Sequence, residues 1–355
     1  MTMVWPMAQT TMDDVAEHAG VSRALVSLVM RNSPRVSEHS RKKVLASAAE
    51  LGYRPNAWAR NLASGQTNTI GVMLNDLHNP YFTELAEGVA SAATENGLEV
   101  LITSGWQREA GENAAINTLL NLRTDGIVLG AARFGSEVFA NVAEQTPTVA
   151  ISNFDEPNTM DTVCNDEEFG AELVVEHLTS LGHERIAHID AGGAPGGPQR
   201  RRGFADAMSA RGLAPILFEG EYKEAAGREA AEQIMKLKKP PTAIFAANDL
   251  AATGVIAHLQ DIGASVPDDV SVIGYDDTML AGLGAFSLTT VHQPRQQFGH
   301  RATELLLERI GGRDSPKHEL IQPRLVVRAT TGPAPSQSRS RSPNRSNEGG
   351  QQCWK

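Results

Sequence analysis

The sequence predicts two fold classes in one chain: an all-α head of helix-turn-helix type with a hinge helix, and a two-lobed α/β body of doubly wound parallel sheets. In residues 11–52, apolar side chains recur every three or four positions, which is the period of an amphipathic helix. From residue 69 onward, short apolar runs alternate with helical segments in two successive sets. Such runs are typical of parallel strands that are covered on both faces.

The same patterns divide the chain into five segments. They are a flexible N-terminus at 1–10, a helix-turn-helix domain at 11–54, a hinge helix at 55–65, a two-lobed body at 66–332 and a disordered tail at 333–355. We expect disorder in the tail because Pro, Ser and Arg dominate it without periodicity. The tail also lacks the heptad pattern that would join dimers into tetramers.

Charge is distributed unevenly along the chain. The net charge is -10, yet residues 1–65 hold eight Lys and Arg against five Asp and Glu, so this part is +3 and the remainder is -13. A small basic head on an acidic body indicates that only the head meets a polyanion. The alternative is a small helical domain whose basic face is merely solvated.

Composition excludes several classes of protein. Only two cysteines occur, so a disulfide framework is excluded and a reducing compartment is the simpler interpretation. The N-terminus shows no signal peptide, and no apolar run has the roughly 18 residues that a membrane span needs. We therefore expect a cytoplasmic protein with no membrane partner.

The first two helices of the head are predicted from their caps. Thr11 followed by Asp14 forms a variant of the capping box, and Gly20 ends this helix. Ser22 is placed to cap a second helix, which Pro34 helps to end. A tight turn between two such helices is typical of a helix-turn-helix unit once a third helix packs across them.

The third helix begins at Ser37 and runs to Gly52, which completes the unit. In a helix-turn-helix domain the second helix lies in the major groove of DNA, with its N-terminal residues against the base edges. Arg23 and Ala24 stand at that start. Three-helix bundles also serve other functions, so the motif alone leaves the function open.

Motifs along nearly all of residues 11–332 resemble one known family. They are MDDVAEHAGVSRALVSLVMRN and VSEHSRKKVLASAAELGYRPNAWARNLASGQTNTIGV in the head, and NPYF, DGI, HLTSLGHERIAHI, RRRGF, ANDLAATG, VSVIGYDD and TTVHQPRQQFG in the body. On these motifs the chain is identified as a member of the LacI/GalR family of bacterial transcription regulators. The resemblance implies a body like that of periplasmic sugar-binding proteins. It also implies a repressor that binds a double-stranded DNA operator as a homodimer and responds to a small-molecule effector in the cleft between the lobes.

The segment YRPNAWARNLASG at 53–65 is too short for a helix that is stable alone. In the family the part of this segment that matches Pro55–Ser64 is a hinge helix that forms on the operator, so binding would supply its stability. Leu62 matches the family's leucine that wedges between base steps and kinks the duplex. The alternative is a plain interdomain linker.

The resemblance assigns DNA contacts to residues of the head and hinge: Thr11, Ser22, Arg23, Ala24, Ser27, Leu28, Arg31, Asn56, Ala59, Leu62 and Ala63. The second helix departs from many relatives at two positions, because Leu25 replaces a Thr and Leu28 replaces an Arg. Losing an Arg removes a possible guanine contact, worth roughly 1–3 kcal/mol of discrimination. We therefore expect a different base preference at that operator position.

The predicted strands of the body are 69–74, 99–103, 126–130 and 148–152 in one lobe, and 185–190, 215–220, 242–247 and 270–275 in the other. Ligands of such sheets bind at the carboxyl ends of the strands. The candidate effector contacts, some from this rule and some from the family match, are Asp76, Asn79, Tyr81, Phe82, Ser152, Asn153, Arg200, Asn248, Asp276 and Gln293. We expect Asp249 to cap the helix that follows it, and Arg201 and Arg202 to face solvent or acidic neighbours.

Two observations bear on the effector. Sugar-binding relatives often have Asp-Arg or a single Asp where this chain has Ser152 and Asn153, so one charged acceptor is missing. A nucleobase would want aromatic faces on both sides, and the candidates are Tyr81, Phe82 and Trp106. We therefore expect a neutral sugar or polyol, with a purine as the alternative.

Other functions lack their motifs. No nucleophile motif, catalytic constellation or metal-ligand spacing is present, and the Gly-rich stretch at 192–198 does not have the spacing of a dinucleotide loop. We therefore predict no catalytic residues, no metal and no cofactor. A solute-binding protein of a transporter would explain the body, but not the helical head or the missing signal peptide.

Overall fold

Each helix of the head begins after the polar residue that predicts its start. The computed structural model describes residues 10–53, 67–106, 108–133, 136–152 and 160–335. Helix α1 spans Met12–His18, α2 spans Arg23–Met30 and α3 spans Glu38–Glu50, with Thr11, Ser22 and Ser37 as their N-caps. Thr11 and Asp14 form the reciprocal bonds of the capping box, as predicted. The predicted turn between α1 and α2 is confirmed as well, and Gly20 adopts the positive φ of 57° that this turn requires.

All three helices contribute to a small apolar core in the head. Val15 of α1, Val26 and Val29 of α2 and Val44 of α3 are buried in one cluster. Burying a side chain of this size stabilises the fold by roughly 1.5–3 kcal/mol. This packing uses the inner face of α2, so its outer face remains available to solvent.

The body forms a separate compact unit from residue 68 onward. Its first half contains β1 (Thr69–Leu74), α4 (Pro80–Glu95), β2 (Glu99–Ser104), α5 (Glu109–Asn121), β3 (Gly126–Gly130), α6 (Ser136–Gln145), β4 (Thr148–Ile151) and β5 (Asp161–Asn165). Its second half contains α7 (Glu167–Ser180), β6 (Ile186–Ile189), α8 (Gly197–Ala210), β7 (Ile216–Phe218), α9 (Glu224–Met235), β8 (Ala243–Phe245), α10 (Asp249–Asp261), β9 (Ser271–Asp276) and α11 (Met279–Gly282). The chain then continues through β10 (Thr289–His292), α12 (Arg295–Ile310), β11 (His318–Ile321) and β12 (Arg324–Val326).

These strands form two six-stranded sheets, one in each lobe. The strand order is β11-β5-β4-β3-β1-β2 in the first lobe and β12-β10-β9-β8-β6-β7 in the second. Pairing is parallel, as in Val72 opposite Val128, except that β12 runs antiparallel to β10 at one edge. The predicted two-lobed, doubly wound body is therefore confirmed.

The two lobes are linked by crossovers that place the last elements out of sequence order. The chain passes from the first sheet to the second lobe at 165–167, returns at 292–295 and crosses again at 321–324. Consequently α12 packs on α4 of the first lobe, and β11 adds to the first sheet. Both lobes therefore contribute their carboxyl strand ends to one cleft.

The sequence analysis did not identify β5, β10, β11 and β12. These strands are short, and β11 and β12 are largely exposed, so they lack the continuous apolar run of a central strand. Helix α8 begins at Gly197 rather than at Arg200, because Gly196 has a left-handed cap conformation and Pro198 lies in the first turn. None of the described helices has the length and apolar composition of a membrane span.

Candidate functional site

The start of α2 is the exposed part of the head's second helix. Ser22, Arg23 and Ala24 are exposed, whereas Leu25 is half-buried and Val26 is buried. The Ser22 hydroxyl oxygen accepts a hydrogen bond from the Leu25 backbone N–H at 3.2 Å. The first turn of α2 contains no acidic residue of its own.

Arg23 is held loosely at this surface. Its Nε lies 3.5 Å from Asp13 Oδ1, and its side chain is 67% exposed. An exposed pair of this kind contributes only about 0–1 kcal/mol and leaves the guanidinium free to move. Arg31, at the other end of α2, donates from Nε to the Ser27 carbonyl at 3.3 Å.

The remaining predicted DNA contacts are placed as follows. Thr11 is exposed and caps α1, while Ser27 and Leu28 are half-buried on α2. The hinge candidates lie outside the described residues: Asn56, Ala59, Leu62 and Ala63. The effector candidate Asn153 also lies outside them.

In the body, one cleft lies between the carboxyl ends of the two sheets. Its empty space is about 680 Å³, including the part open to solvent. Predicted residues that line it are Asp76, Asn79, Tyr81, Phe82, Ser152, Arg200, Asp276 and Gln293. Further lining residues with polar or aromatic side chains, which the sequence analysis missed, are Asn75, Arg133, Glu167, Glu221 and Tyr222.

Arg200 is buried in the cleft wall and is engaged by its neighbours. Its Nη2 and Nε donate to Glu167 Oε2 at 2.8 and 3.1 Å, and Nη1 donates to the Ala247 carbonyl. The centre of the guanidinium lies 3.5 Å from the centroid of the Tyr275 ring, a cation–π distance. Burial by itself would lower the pKa of Arg200, but the nearby Glu167 carboxylate and other groups raise it, so the guanidinium stays charged.

Asp276 and Gln293 form the second polar group of the cleft. Gln293 Nε2 donates to Asp276 Oδ1 at 2.7 Å, and the other carboxylate oxygen lies 3.5 Å from Asn248 Nδ2. Burial raises the pKa of Asp276 to about 8, and repulsion from the Asp249 carboxylate acts in the same direction. Asn248 is not among the residues that line the cleft; it orients Asp276 instead.

Asp249 does not cap α10 as predicted. The cap is Asn248, whose Oδ1 accepts from the Ala251 N–H at 2.9 Å. The Asp249 carboxylate instead accepts bonds from the Thr278 N–H, the Thr278 hydroxyl and the Thr290 hydroxyl at 2.6–2.9 Å. It therefore holds the loop that follows Asp276.

On the first lobe, the start of α4 presents the aromatic side chains. Asn79 caps this helix through a bond from the Tyr81 N–H, and the rings of Tyr81 and Phe82 meet edge to face at a centroid distance of 5.1 Å. The hydroxyls of Tyr81 and Ser152 are 3.0 Å apart. Trp106 is not among the lining residues; it is about half exposed and lies beside His78.

The neighbours of Arg200 behave as expected. Arg201 pairs with Asp190 at 2.7 Å and Arg202 pairs with Glu168. In the part of the chain that the structure describes, no group of three His, Cys, Asp or Glu residues is placed to hold a metal ion. The lining of the cleft combines hydrogen-bond donors and acceptors with aromatic side chains.

Two family models match the chain. One, described as bacterial regulatory proteins of the lacI family, matches residues 11–56, which contain the three head helices. The other, a periplasmic binding protein-like domain, matches residues 175–331. Together they cover the exposed α2 and most of the second lobe.

Individual relatives match both parts. The chain is 35% identical over 305 residues to Catabolite control protein A of Priestia megaterium, covering 83% of this chain and 91% of that protein. It is 31% identical over 325 residues to the HTH-type transcriptional repressor PurR of Photobacterium profundum, covering 90% and 97%. Among solved structures, the Lac repressor dimer bound to operator and the anti-inducer ONPF matches with a TM-score of 0.83 and 29% identity, over 91% of this chain and 99% of that one.

Proposed function

The chain belongs to the LacI family of bacterial regulatory proteins. On that premise we propose that it represses transcription and that its affinity for DNA changes when a small molecule binds. The observation that carries the proposal is the presence of both working parts in one chain, the exposed start of α2 and the polar cleft. Its relatives are transcription regulators and not enzymes. A DNA regulator of this kind works in the cytoplasm.

The DNA partner is a near-palindromic operator bound by a homodimer. A two-fold protein matches a two-fold site, and each α2 enters the major groove of one half-site. In that geometry the exposed Arg23 and the N-terminus of α2 meet base edges and phosphates. The Lac repressor, which is similar along most of its length, is a dimer on its operator. Leu62, by its family match, wedges into the centre of the operator.

A paired substitution tests the DNA-binding role of α2. We expect Arg23→Ala to weaken operator binding by about 1–3 kcal/mol, since one charged contact to a base or phosphate is lost. Lys236→Ala serves as the control, because Lys236 is an exposed basic residue at the C-cap of α9 in the body. Electrophoretic mobility shifts at fixed salt measure both variants. Equal affinities for the two would remove α2 from the interface.

The effector proposal rests on the chemistry of the cleft. Asp276, Gln293, Asn75 and Asn79 offer carboxylate and amide groups that suit the hydroxyls of a sugar or polyol. These groups come from both lobes, so a bound ligand would bridge them. A ligand that bridges the lobes binds their closed arrangement more tightly than an open one. It therefore shifts the equilibrium of the body toward the closed arrangement.

A purine remains the second candidate, and one observation favours it. Tyr222 lines the cleft from the second lobe, whereas Tyr81 and Phe82 line it from the first. Aromatic side chains from both lobes can stack on a planar base. The Tyr222 hydroxyl donates a hydrogen bond to the Pro195 carbonyl at 3.0 Å, which holds the Tyr222 ring in place.

Titration calorimetry of the full chain against sugars, polyols and nucleobases distinguishes the two candidates. We expect a hydroxylated compound to bind and to change operator affinity in a mobility-shift assay. Binding of a purine with no response to any sugar or polyol would establish the second candidate. A ligand that binds the cleft without changing operator affinity would contradict the regulatory role itself.

A further inference from the structure

Two buried oxygen atoms of the cleft have no hydrogen-bond partner in the structure. They are Asn75 Oδ1 in the first lobe and Gln293 Oε1 in the crossover at 292–295, and both residues are more than nine-tenths buried. A buried acceptor without a donor costs about 1–3 kcal/mol. Both atoms belong to side chains that line the cleft, so a bound molecule that donates hydrogen bonds would remove this cost.

Arg200 is poorly placed to receive an anionic ligand. Its three nitrogen atoms already donate to Glu167 and to the Ala247 carbonyl, and its face is covered by the Tyr275 ring. An anion would have to compete with Glu167, which is itself buried beside it. Arg133 also lines the cleft, but it is exposed, so its charge is screened by solvent.

The buried layer around Asp276 has more carboxylates than cations. Glu167, Asp249 and Asp276 are all buried, and the nearby buried cations are Arg200 and Arg295. Arg295 is shared with a further acid, since its Nη2 donates to Glu84 Oε2 at 2.6 Å. With all three carboxyl groups ionised, the acids of this group would exceed the two arginines, which is unfavourable in a poorly solvated site, so Asp276 keeps its proton until a cation binds.

We propose that the effector carries an ammonium group on a hydroxyl-bearing skeleton, and that this ammonium lies against Asp276 and Gln293 Oε1. An ammonium supplies three donors and one positive charge, which is the complement of these acceptors. The hydroxyls of the skeleton reach the remaining amides, including Asn75. The inference rests on the proposed function of the cleft as the effector site.

The proton balance of this binding follows from the surroundings of Asp276. Burial and Asp249 raise its pKa, Arg200 and Arg295 lower it, and Glu167 raises it further. Because the raised pKa leaves the carboxyl group largely protonated at pH 6.5, an arriving ammonium displaces that proton to solvent. A neutral ligand does not require the carboxyl group to ionise.

Matched ligand pairs test the charge directly. The probes are glucosamine against glucose, galactosamine against galactose, and 1-amino-1-deoxysorbitol against sorbitol, with glucose 6-phosphate as the anion. Each is titrated calorimetrically into the full chain at pH 6.5. We expect the amine to bind about tenfold or more tightly than its neutral partner in at least one pair, since charge-assisted bonds are the stronger ones.

Two further measurements accompany the titrations. Calorimetry in buffers of different ionisation enthalpy should show proton release of about one per amine bound, and none for a neutral ligand. Asp276→Asn, checked for folding by circular dichroism, should remove the preference for the amine. Since the proton count uses the unaltered protein, it holds even where this variant fails to fold.

The outcomes distinguish a failure of the ammonium inference from a failure of the proposed regulatory function. Failure of every amine to bind, neutral members that bind as tightly as the amines, or tightest binding of glucose 6-phosphate would each overturn the inference. If such a neutral or anionic ligand still changed operator affinity, the proposed regulator would stand. Amine binding with proton release, but without any effect on operator affinity, would support the site and contradict the regulatory function.

Discussion

At the residue scale, the ion pair of Arg200 and Glu167 lines the cleft and also contributes to the stability of the body. Both side chains are at least 96% buried, so each needs the other. We expect Arg200→Ala to lower the free energy of unfolding of the body by about 3–5 kcal/mol, because Glu167 is left buried and unpaired. Urea denaturation measures this value. Loss of an effector response in this variant would therefore not by itself identify a ligand contact.

The adjacent arginine provides the control for this prediction. Arg202 pairs with Glu168 on the surface, where its side chain is 58% exposed, so Arg202→Ala should change stability by only about 0–1 kcal/mol. The double variant Arg200→Met with Glu167→Leu should recover much of the loss, since no buried charge remains. Equal effects of Arg200→Ala and Arg202→Ala would contradict the buried pair.

A second residue-scale prediction concerns Asp276 and pH. Its pKa in the fold is raised to about 8 by burial, above the usual value near 4. Stability from such a group is present at low pH and is lost as pH rises through the folded pKa. Asp276→Asn should therefore be nearly neutral at pH 3, where the carboxyl group is protonated in both states, and should become stabilising as pH rises from about 4 to 8, by about 1 kcal/mol or more at pH 9.

The neighbouring Asp277 should respond with the opposite sign. Burial opposes its ionisation, but bonds with His292 and Arg328 lower its pKa below the usual value. Its contribution is present above its unfolded pKa and is lost in acid. Asp277→Asn should thus destabilise the body at pH 7, by an amount that shrinks toward pH 3. Thermal unfolding of both variants across pH checks the contrast, and parallel profiles would refute it.

At the element scale, α4 of the first lobe packs closely against α12, the helix that follows the crossover at 292–295. A Cβ on Gly88 would lie 2.1 Å from the Gln296 carbonyl oxygen, and one on Gly299 would lie 2.2 Å from the Leu85 carbonyl oxygen. The two backbones therefore approach each other through glycines. Helix α4 also carries Glu84, which binds Arg295 at the start of α12.

This close approach makes Gly88→Ala a sharp test of the helix pair. The added methyl must push backbone apart, and overpacking of this kind costs about 1–3 kcal/mol. Gly284→Ala is the control, because a Cβ there meets nothing within 4 Å. Thermal unfolding of the full chain should show a lower midpoint for Gly88→Ala only. A gain in stability for Gly88→Ala, as helix propensity alone would give, would contradict the packing.

The elements differ in how far the sequence could predict them. Strands β1 and β3 and helix α10 have the predicted bounds or start, since apolar runs and caps are local properties. The edge strands β11 and β12 escaped prediction because their pairing depends on partners far away in sequence. Tyr222 and Glu167 escaped for a similar reason: neither stands in a motif, and only the closing of the lobes brings them to the cleft.

At the scale of the whole molecule, the uneven charge predicts strong salt dependence of operator binding. Residues 1–65 carry +3 while the rest of the chain carries -13, so attraction to DNA comes from the head and is opposed by the body. Affinity should fall linearly with the logarithm of salt concentration, as counterions leave the phosphates that the head neutralises. Mobility shifts between about 50 and 200 mM salt measure the slope. A slope near zero would contradict groove docking by the head.

The sequence by itself determined the order of head and body, the caps of the head helices, the family and eight of the residues that line the cleft. These are properties of local pattern and of motifs that a single chain displays directly. Tertiary structure decided which of those residues act together. Arg200 is neutralised by Glu167, and Asn248 serves Asp276 rather than lining the cleft. Such roles depend on distances between strand ends of two separate sheets, and folding alone sets those distances.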